Sequence, residues 1–182
     1  MNYALRTARL EDEGALRELI ARSIRALGAA DYSEAQIEAA LSGAFGVDTT
    51  LIRDGTYFVA EAADGTIVGC GGWSRRRTLF GSDARADRDE SWLDPATDAA
   101  KIRAFFVDPT HARHGLGALI LERSEREATR AGFKAFALMA TLPGVRFYEK
   151  HGYIAEAAIH HPLAAGLSIR FVPMGKRAGS ST

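Results

Sequence analysis

The sequence predicts one mixed domain of class α/β (α+β), with helices and strands sharing a core. Three observations carry this. Apolar residues recur at helical spacing in segments that alternate with apolar runs of strand length. Residues 57–62 and 66–73 read as strands flanking Ala63-Asp64-Gly65, a hairpin turn. An apolar strand ending Phe105-Phe106-Val107 runs through a short polar turn into a glycine-bearing helix start at Gly115-Leu116-Gly117. The 182 residues, 47% hydrophobic and 25% charged, suit a single domain over residues 1–176, with residues 177–182 expected as a flexible tail.

The elements follow in order. Residues 3–6 make a short first strand. Leu16, Leu19, Ile20, Ile24 and Leu27 then mark one face of a helix that opens on Glu11, Asp12 and Glu13, favourable at a helix start, and closes at Gly28. Ser33-Glu34-Ala35-Gln36 is a capping-box string opening a second helix that runs to Leu41, and residues 43–46 form a loop. After the hairpin, residues 74–100 lose all periodicity. The helix over residues 116–131 carries Leu116, Leu119 and Ile120 against a charged face and stops at Gly132. Residues 133–142 read as a buried strand bounded by Pro143-Gly144, residues 145–151 as one or two helical turns ended by Gly152, and residues 153–160 and 167–174 as the last strands.

The strand-to-helix turn is a place to hold a diphosphate. Gly115 and Gly117 lack a Cβ, so the backbone there can approach a ligand, and the first N–H groups of the helix point outward without an intrahelical partner. Arg113 and His114 add side-chain donors. Two nucleotide motifs are excluded: no third glycine completes G-x-G-x-x-G, and no G-x-x-x-x-G-K-S/T string exists.

Composition narrows the class further. Equal totals of 23 basic and 23 acidic residues argue against a nucleic-acid groove built on net charge. The single cysteine, Cys70, cannot form an internal disulfide and reads as a small strand residue. No apolar run is long enough to span a bilayer, and the N-terminus lacks a signal peptide's hydrophobic core, so a cytoplasmic location is expected. His160 and His161 do not suggest a metal pair, since neighbouring strand residues point to opposite faces; no metal is expected.

Ala112-Arg113-His114-Gly115-Leu116-Gly117, followed by a strand and then by Phe147-Tyr148-Glu149-Lys150-His151-Gly152-Tyr153, resembles the GNAT superfamily of acetyl-CoA-dependent N-acetyltransferases. The family's coenzyme motif is R/Q-x-x-G-x-G/A, and its second landmark is a short helix with F-Y-E-K followed by G-F or G-Y. Ala112 departs from the pattern, with Arg113 one place later. The resemblance implies a twisted, mixed and mostly antiparallel sheet, splayed between its fourth and fifth strands, with helices on both faces. It implies acetyl-CoA as cosubstrate, its pantetheine arm pairing with main-chain groups at Phe105, Phe106 and Val107. Its diphosphate would lie over Ala112, Arg113, His114, Gly115, Leu116, Gly117 and Ala118. Tyr148 takes the general-acid position and also borders the coenzyme. The activity implied is acetyl transfer to a primary amine, a small molecule or peptide, by direct attack in a ternary complex. A non-catalytic acyl-CoA-binding or regulatory module and an acyltransferase with a longer donor are the alternatives, and a homodimer is left open.

The base that takes the amine's proton is not singled out. Where some relatives carry a glutamate before Val107, this chain has Lys101, Ile102 and Arg103. Glu90, Asp87, Asp108, Glu149, His111 and His160 are chemically eligible, as is a water chain. In the irregular segment 74–100, Arg75-Arg76-Arg77 reads either as a solvated strand end or as a reader of anions near the substrate mouth. Trp73 and Trp92 are expected either to line an acceptor pocket or to pack in the core and rim.

Overall fold

The computed structural model of the protein describes residues 3–85 and 88–179. The chain runs β1 (Ala4–Thr7), α1 (Glu13–Leu27), α2 (Glu34–Leu41), α3 (Thr49–Arg53), β2 (Tyr57–Glu61), β3 (Ile67–Ser74), β4 (Ala100–Val107), α4 (Leu116–Arg130), β5 (Ala135–Thr141), α5 (Val145–Lys150), β6 (Ile154–Ala155), β7 (Ile159–Pro162) and β8 (Ser168–Arg177). The sheet order is β1-β2-β3-β4-β5-β8-β6, with β7 also on β8. Every pairing is antiparallel except β4 with β5, which is parallel.

That parallel pairing positions the site. It holds only at Ala100 with Phe136 and Lys101 with Ala137; beyond these the two strands part, as expected of the fourth and fifth strands. On its other side β4 stays on β3 but skips a residue between the partners of Cys70 and Gly72. Ala104 fills the skip in the left-handed region, φ 56°, a bulge that bends the strand and redirects its groups. The Tyr57 hydroxyl donates to the Ala104 carbonyl at 2.9 Å, so the bulge is satisfied from the neighbouring core. Gly71 lies opposite because a Cβ there would stand 2.7 Å from the Phe105 ring.

Two cores lie on the two faces of the sheet. One joins Leu16, Ile20 and Ile24 of α1 to Ile37, Phe45, Tyr57 and Phe171, with Phe106 packed against it. The other joins Leu121 and Ala128 of α4 to Phe58, Trp73, Phe133, Phe136 and Tyr148, with Phe105 packed against it. Burying these apolar side chains is the main term holding the helices to the sheet.

Several local expectations hold in atomic detail. Ser33 Oγ accepts from Gln36 N at 3.2 Å, while Gln36 Oε1 accepts from Ser33 N at 2.9 Å, the reciprocal capping box. At the hairpin, Gly65 (φ 84°) donates to Ala62 O at 2.9 Å. Four points differ from expectation. The expected strand over residues 153–160 breaks into β6 and β7. Pro173 supplies the reason: its carbonyl accepts from Glu156 N at 2.9 Å, so its missing N–H falls on that side and interrupts the ladder. The strand expected from Phe133 begins at Ala135, because Phe133 N still caps α4 by donating to Ala128 O at 3.2 Å. Finally α3 was not anticipated, although Asp48 caps it by accepting from Thr50 N at 3.0 Å. The expected tail boundary also moves, since Arg177 belongs to β8 and Ala178 N donates to Lys134 O at 2.9 Å.

The described residues of the segment after β3 are pinned by hydrogen bonds and ion pairs. Arg77 N donates to Ser91 O at 3.0 Å, Thr78 N to Asp89 O at 2.9 Å and Leu93 N to Arg75 O at 2.8 Å, the rungs of an irregular hairpin. Beneath it Asp48, fully buried, meets Arg103 Nη1 at 2.7 Å and Arg88 Nη1 at 2.9 Å. Arg103 also donates to Gly81 O at 2.7 Å.

Candidate active site

The opening between β4 and β5 leads to the start of α4. Gly115, at φ 80°, is the residue before the helix, and Arg113 at φ 64° shares the left-handed conformation. Alternating backbone conformations of this kind turn successive N–H groups into one concavity. Among the described residues, the N–H groups of Arg113, His114, Gly115, Leu116, Gly117 and Ala118 have no hydrogen-bond acceptor; the first bond of the helix is Leu119 N to Gly115 O at 3.1 Å. These donors sit at the positive end of a 15-residue helix, where an anion is favoured.

The two glycines serve different ends. Space around Gly115 is open, so its requirement is conformational. At Gly117 a Cβ would stand 3.2 Å from Phe147 Cζ, so the missing Cβ lets α5 pack against the first turn of α4. This contact ties the anion cradle to the helix that carries Tyr148. Leu116 is buried and fills the room left by Gly69.

Side chains along the β4 edge alternate: Phe105 and Val107 pack toward α4, while Phe106 packs toward α1 and α2. Asp108 N donates to Val68 O on β3 at 2.9 Å, whereas Val107 N turns the other way and donates to Ser23 Oγ of α1 at 3.2 Å. Ser23 is a site residue that sequence reasoning missed. Its signal was a polar residue inside the apolar stripe of α1, between Ile20 and Ile24.

Tyr148 is buried, its ring 6.3 Å from Phe105 across the opening, 5.0 Å from Phe147 and 5.6 Å from Tyr153. Its hydroxyl has no hydrogen-bond partner among the described residues. Burial pushes its pKa well above the ordinary value, so the phenol keeps its proton throughout the neutral range. Tyr153 donates to Glu125 Oε1 at 2.9 Å, and Lys176 Nζ lies 2.8 Å from Glu125 Oε2, anchoring the turn after α5 to α4.

None of the base candidates is shown in contact with Tyr148. Asp108 accepts from Thr110 N at 3.0 Å and Thr110 Oγ1 at 2.6 Å, and pairs with Arg22 at 3.3 Å. Burial raises its pKa, but these bonds outweigh burial and hold it below the ordinary range. His111 Nδ1 bonds the Tyr3 hydroxyl at 3.1 Å. Glu90 is engaged by Arg88 at 3.0 Å and Thr50 at 3.3 Å. Glu149 and His160 are exposed, and Asp87 lies outside the described residues. Lys101 is half-buried, and burial lowers its pKa.

On the α1–α2 side of β4, aromatic rings gather. Phe45 lies 6.1 Å from Phe106 and 5.9 Å from Phe171, and Phe80 lies 5.3 Å from Phe171 and 4.9 Å from His161. Tyr32, also missed from sequence, bridges this side: its hydroxyl donates to Arg170 O and accepts from Leu142 N, each at 2.8 Å. Trp73 is not part of this wall. It is buried on the opposite face, 5.9 Å from Phe133, and Trp92 lies exposed under the guanidinium of Arg76 at 4.4 Å. Within the arginine run, Arg76 is held by Asp54 at 2.7 and 2.9 Å, while Arg77 is exposed and meets Asp98 at 3.5 Å. The Cys70 thiol is buried, which pushes its pKa up to about 12, as befits inert packing. Among the described residues no three His, Cys, Asp or Glu side chains gather to hold a metal ion, and no helix is long and apolar enough to cross a membrane.

The family model of the acetyltransferase (GNAT) family matches residues 16–153. Among solved structures, a GCN5-related N-acetyltransferase from Rhodopseudomonas palustris superposes with a TM-score of 0.72 at 22% identity, covering 97% of this chain and 96% of that one. The PaiA N-acetyltransferase of Thermoplasma acidophilum, solved with coenzyme A, gives 0.66 at 17% identity over 97% and 99%. A GNAT-family acetyltransferase from Brucella melitensis, solved with acetyl-CoA, gives 0.59 at 15% over 100% and 91%. No curated protein matches in sequence. These likenesses carry the fold, and the family model, which spans both the cradle at the start of α4 and the tyrosine of α5, places the chain in the GNAT acetyltransferase family.

Proposed function

We propose that the protein transfers an acetyl group from acetyl-CoA to a primary amine by direct attack in a ternary complex. The observation that carries this reading is the run of unpartnered N–H groups from Arg113 to Ala118, joined through Phe147 to a buried tyrosine at the strand opening. The diphosphate lies over residues 112–118, its charge met by the helix start and Arg113. The pantetheine arm, with two amides, adds to the β4 edge along Phe105, Phe106 and Val107. For the arm to reach the Val107 N–H, Ser23 Oγ must release it.

The amine nitrogen then attacks the thioester carbon. The C–S bond breaks, its electrons pass to sulfur, and the Tyr148 hydroxyl donates a proton to the departing thiolate. The amine's own proton leaves through water or a base. The amine acceptor enters from the aromatic side, where Phe80 brings the segment after β3 beside Phe171 and His161, so selectivity among amines resides there. A screen of amines with acetyl-CoA, read by release of free thiol, tests the reading. We expect amine-dependent release. Tight acetyl-CoA binding without release for any amine would instead support an acyl-CoA-binding module.

A further inference from the structure

A second pocket lies away from the coenzyme cradle, on the α4 face of the sheet near the end of β3. It is a cavity of about 150 Å³ bordered by Trp73, Arg75, Arg123, Phe58, Asp54 and Glu127. It shares no residue with the 105–107 edge, the 112–118 cradle or Tyr148.

Three donors around it are buried without an acceptor among the described residues: Trp73 Nε1, Arg75 Nε and Arg123 Nε. Trp73 is 3% exposed, and an indole N–H can only donate, so leaving it unpaired is costly. Arg75 is set apart from its neighbours. Arg76 and Arg77 each have a carboxylate partner, whereas no described carboxylate pairs with Arg75. Its guanidinium is instead held between two indoles, 5.5 Å from the Trp73 ring and 5.6 Å from the Trp92 ring. Stacking of this kind fixes the plane and leaves the N–H edge free to bind. Arg123, over Phe58 at 5.2 Å, lies 3.2 Å from Glu127 through the same Nε, outside hydrogen-bond geometry.

From this arrangement we infer that the cavity is a binding site for a small carboxylate, seated between the Arg75 fork and the Trp73 indole N–H. A guanidinium edge matches a carboxylate in two parallel hydrogen bonds, and the volume admits only a few heavy atoms. The rim sets the charge of the occupant. Asp54 is neutralised by Arg76, and Glu127 by Arg123 and Arg130, but both carboxylates remain close enough to disfavour a dianion. A monocarboxylate therefore fits better than phosphate or sulfate.

The indole N–H is a direct reporter, because the chain has only two tryptophans. In ¹⁵N-labelled protein, millimolar acetate at constant ionic strength should shift the Trp73 indole resonance saturably and downfield. Arg75→Met keeps an apolar stem between the indoles and removes the fork; the shift should vanish while the Trp92 and backbone spectrum stays that of a folded protein. Arg75→Lys keeps the charge and should bind acetate more weakly than the parent. No saturable shift with acetate, an equal shift with chloride, an undiminished shift in folded Arg75→Met, or saturation by phosphate at lower concentration than acetate would each overturn the assignment. Acetyl-CoA is absent from the measurement, so the outcome is independent of the transferase reading.

Discussion

Asp48→Asn tests whether the segment after β3 is held by buried charge. Asp48 is fully buried and is the carboxylate shared by Arg103, itself 5% exposed, and Arg88. Asparagine keeps the volume and can still accept from Thr50 N, so the cap on α3 survives; what goes is the negative charge. Arg88 retains Asp83 and Glu90. Among the described residues Arg103 then retains the Gly81 carbonyl as its acceptor, and burial already pushes its pKa below the ordinary value. Removing one member of a buried pair costs about 3–5 kcal/mol, a large part of the roughly 5–15 kcal/mol that holds a domain folded. With a urea slope of about 1–3 kcal/mol per molar, the midpoint should fall by about 1–5 M. Adding Arg103→Met should recover part of the loss, since the stranded charge is then gone. A midpoint unchanged by Asp48→Asn, or a double variant whose losses simply add, would refute the reasoning. Calorimetry on the folded variant should find acetyl-CoA affinity little changed, because the cradle shares none of these groups.

Other expectations follow from single contacts. Gly117→Asp drives a side chain into Phe147 and sets negative charge against the diphosphate; calorimetry should show acetyl-CoA affinity reduced by about 10-fold or more, an electrostatic and steric loss above about 1.4 kcal/mol, and unchanged affinity in a folded variant would reject the placement. Arg76→Ser should lower the thermal midpoint through loss of the Asp54 pair and the Trp92 stack, with the amine profile intact; a changed profile at unchanged stability would return the arginine run to the substrate mouth. Tyr32→Phe leaves the Leu142 N–H without its acceptor and should cost about 1–3 kcal/mol by urea unfolding. Arg6, bonding both oxygens of Asp12 at 2.7 and 2.8 Å, holds that carboxyl below its ordinary value against the opposing effect of burial. A lowered folded pKa gives stability that is present above the unfolded value, about 4, and lost as pH falls through the folded one. Asp12→Asn should therefore flatten the decline of the urea midpoint between neutral and acid pH, and an equally steep decline would contradict this.

Much of the fold was legible because its signals are local. The capping box at Ser33 and Gln36, the Gly65 turn, and the glycines closing α4 and α5 each act within a few residues, and the strand-to-helix turn at 105–117 lies in one continuous stretch. Signals that depend on distant partners were not legible. Pro173 breaks the strand facing it only because of its register against Glu156. Asp48 reads as a polar loop residue until Arg88 and Arg103 arrive from elsewhere in the chain. The segment after β3 lost periodicity in sequence because its rungs, Arg77 with Ser91 and Thr78 with Asp89, pair without regular alternation. Of the candidate site, the glycine-bearing strand-to-helix turn was readable from its motif and spacing, while Tyr148 came from the family resemblance. Ser23, Tyr32 and the aromatic wall were not, since nothing in their neighbourhoods states which strand they will face.

The proposed acetyl transfer turns on Tyr148 supplying the proton for the departing thiolate. Tyr148→Phe is a clean perturbation, because the hydroxyl has no hydrogen-bond partner among the described residues and its removal strands no buried group. With any amine that supports thiol release, kcat should fall by about 10-fold or more, toward the general-acid range of about 10²–10⁴. Acetyl-CoA affinity, measured by calorimetry on the same preparation, should stay within about twofold of the parent's. An undiminished kcat, or a kcat that falls only in step with lost acetyl-CoA binding, would contradict the account.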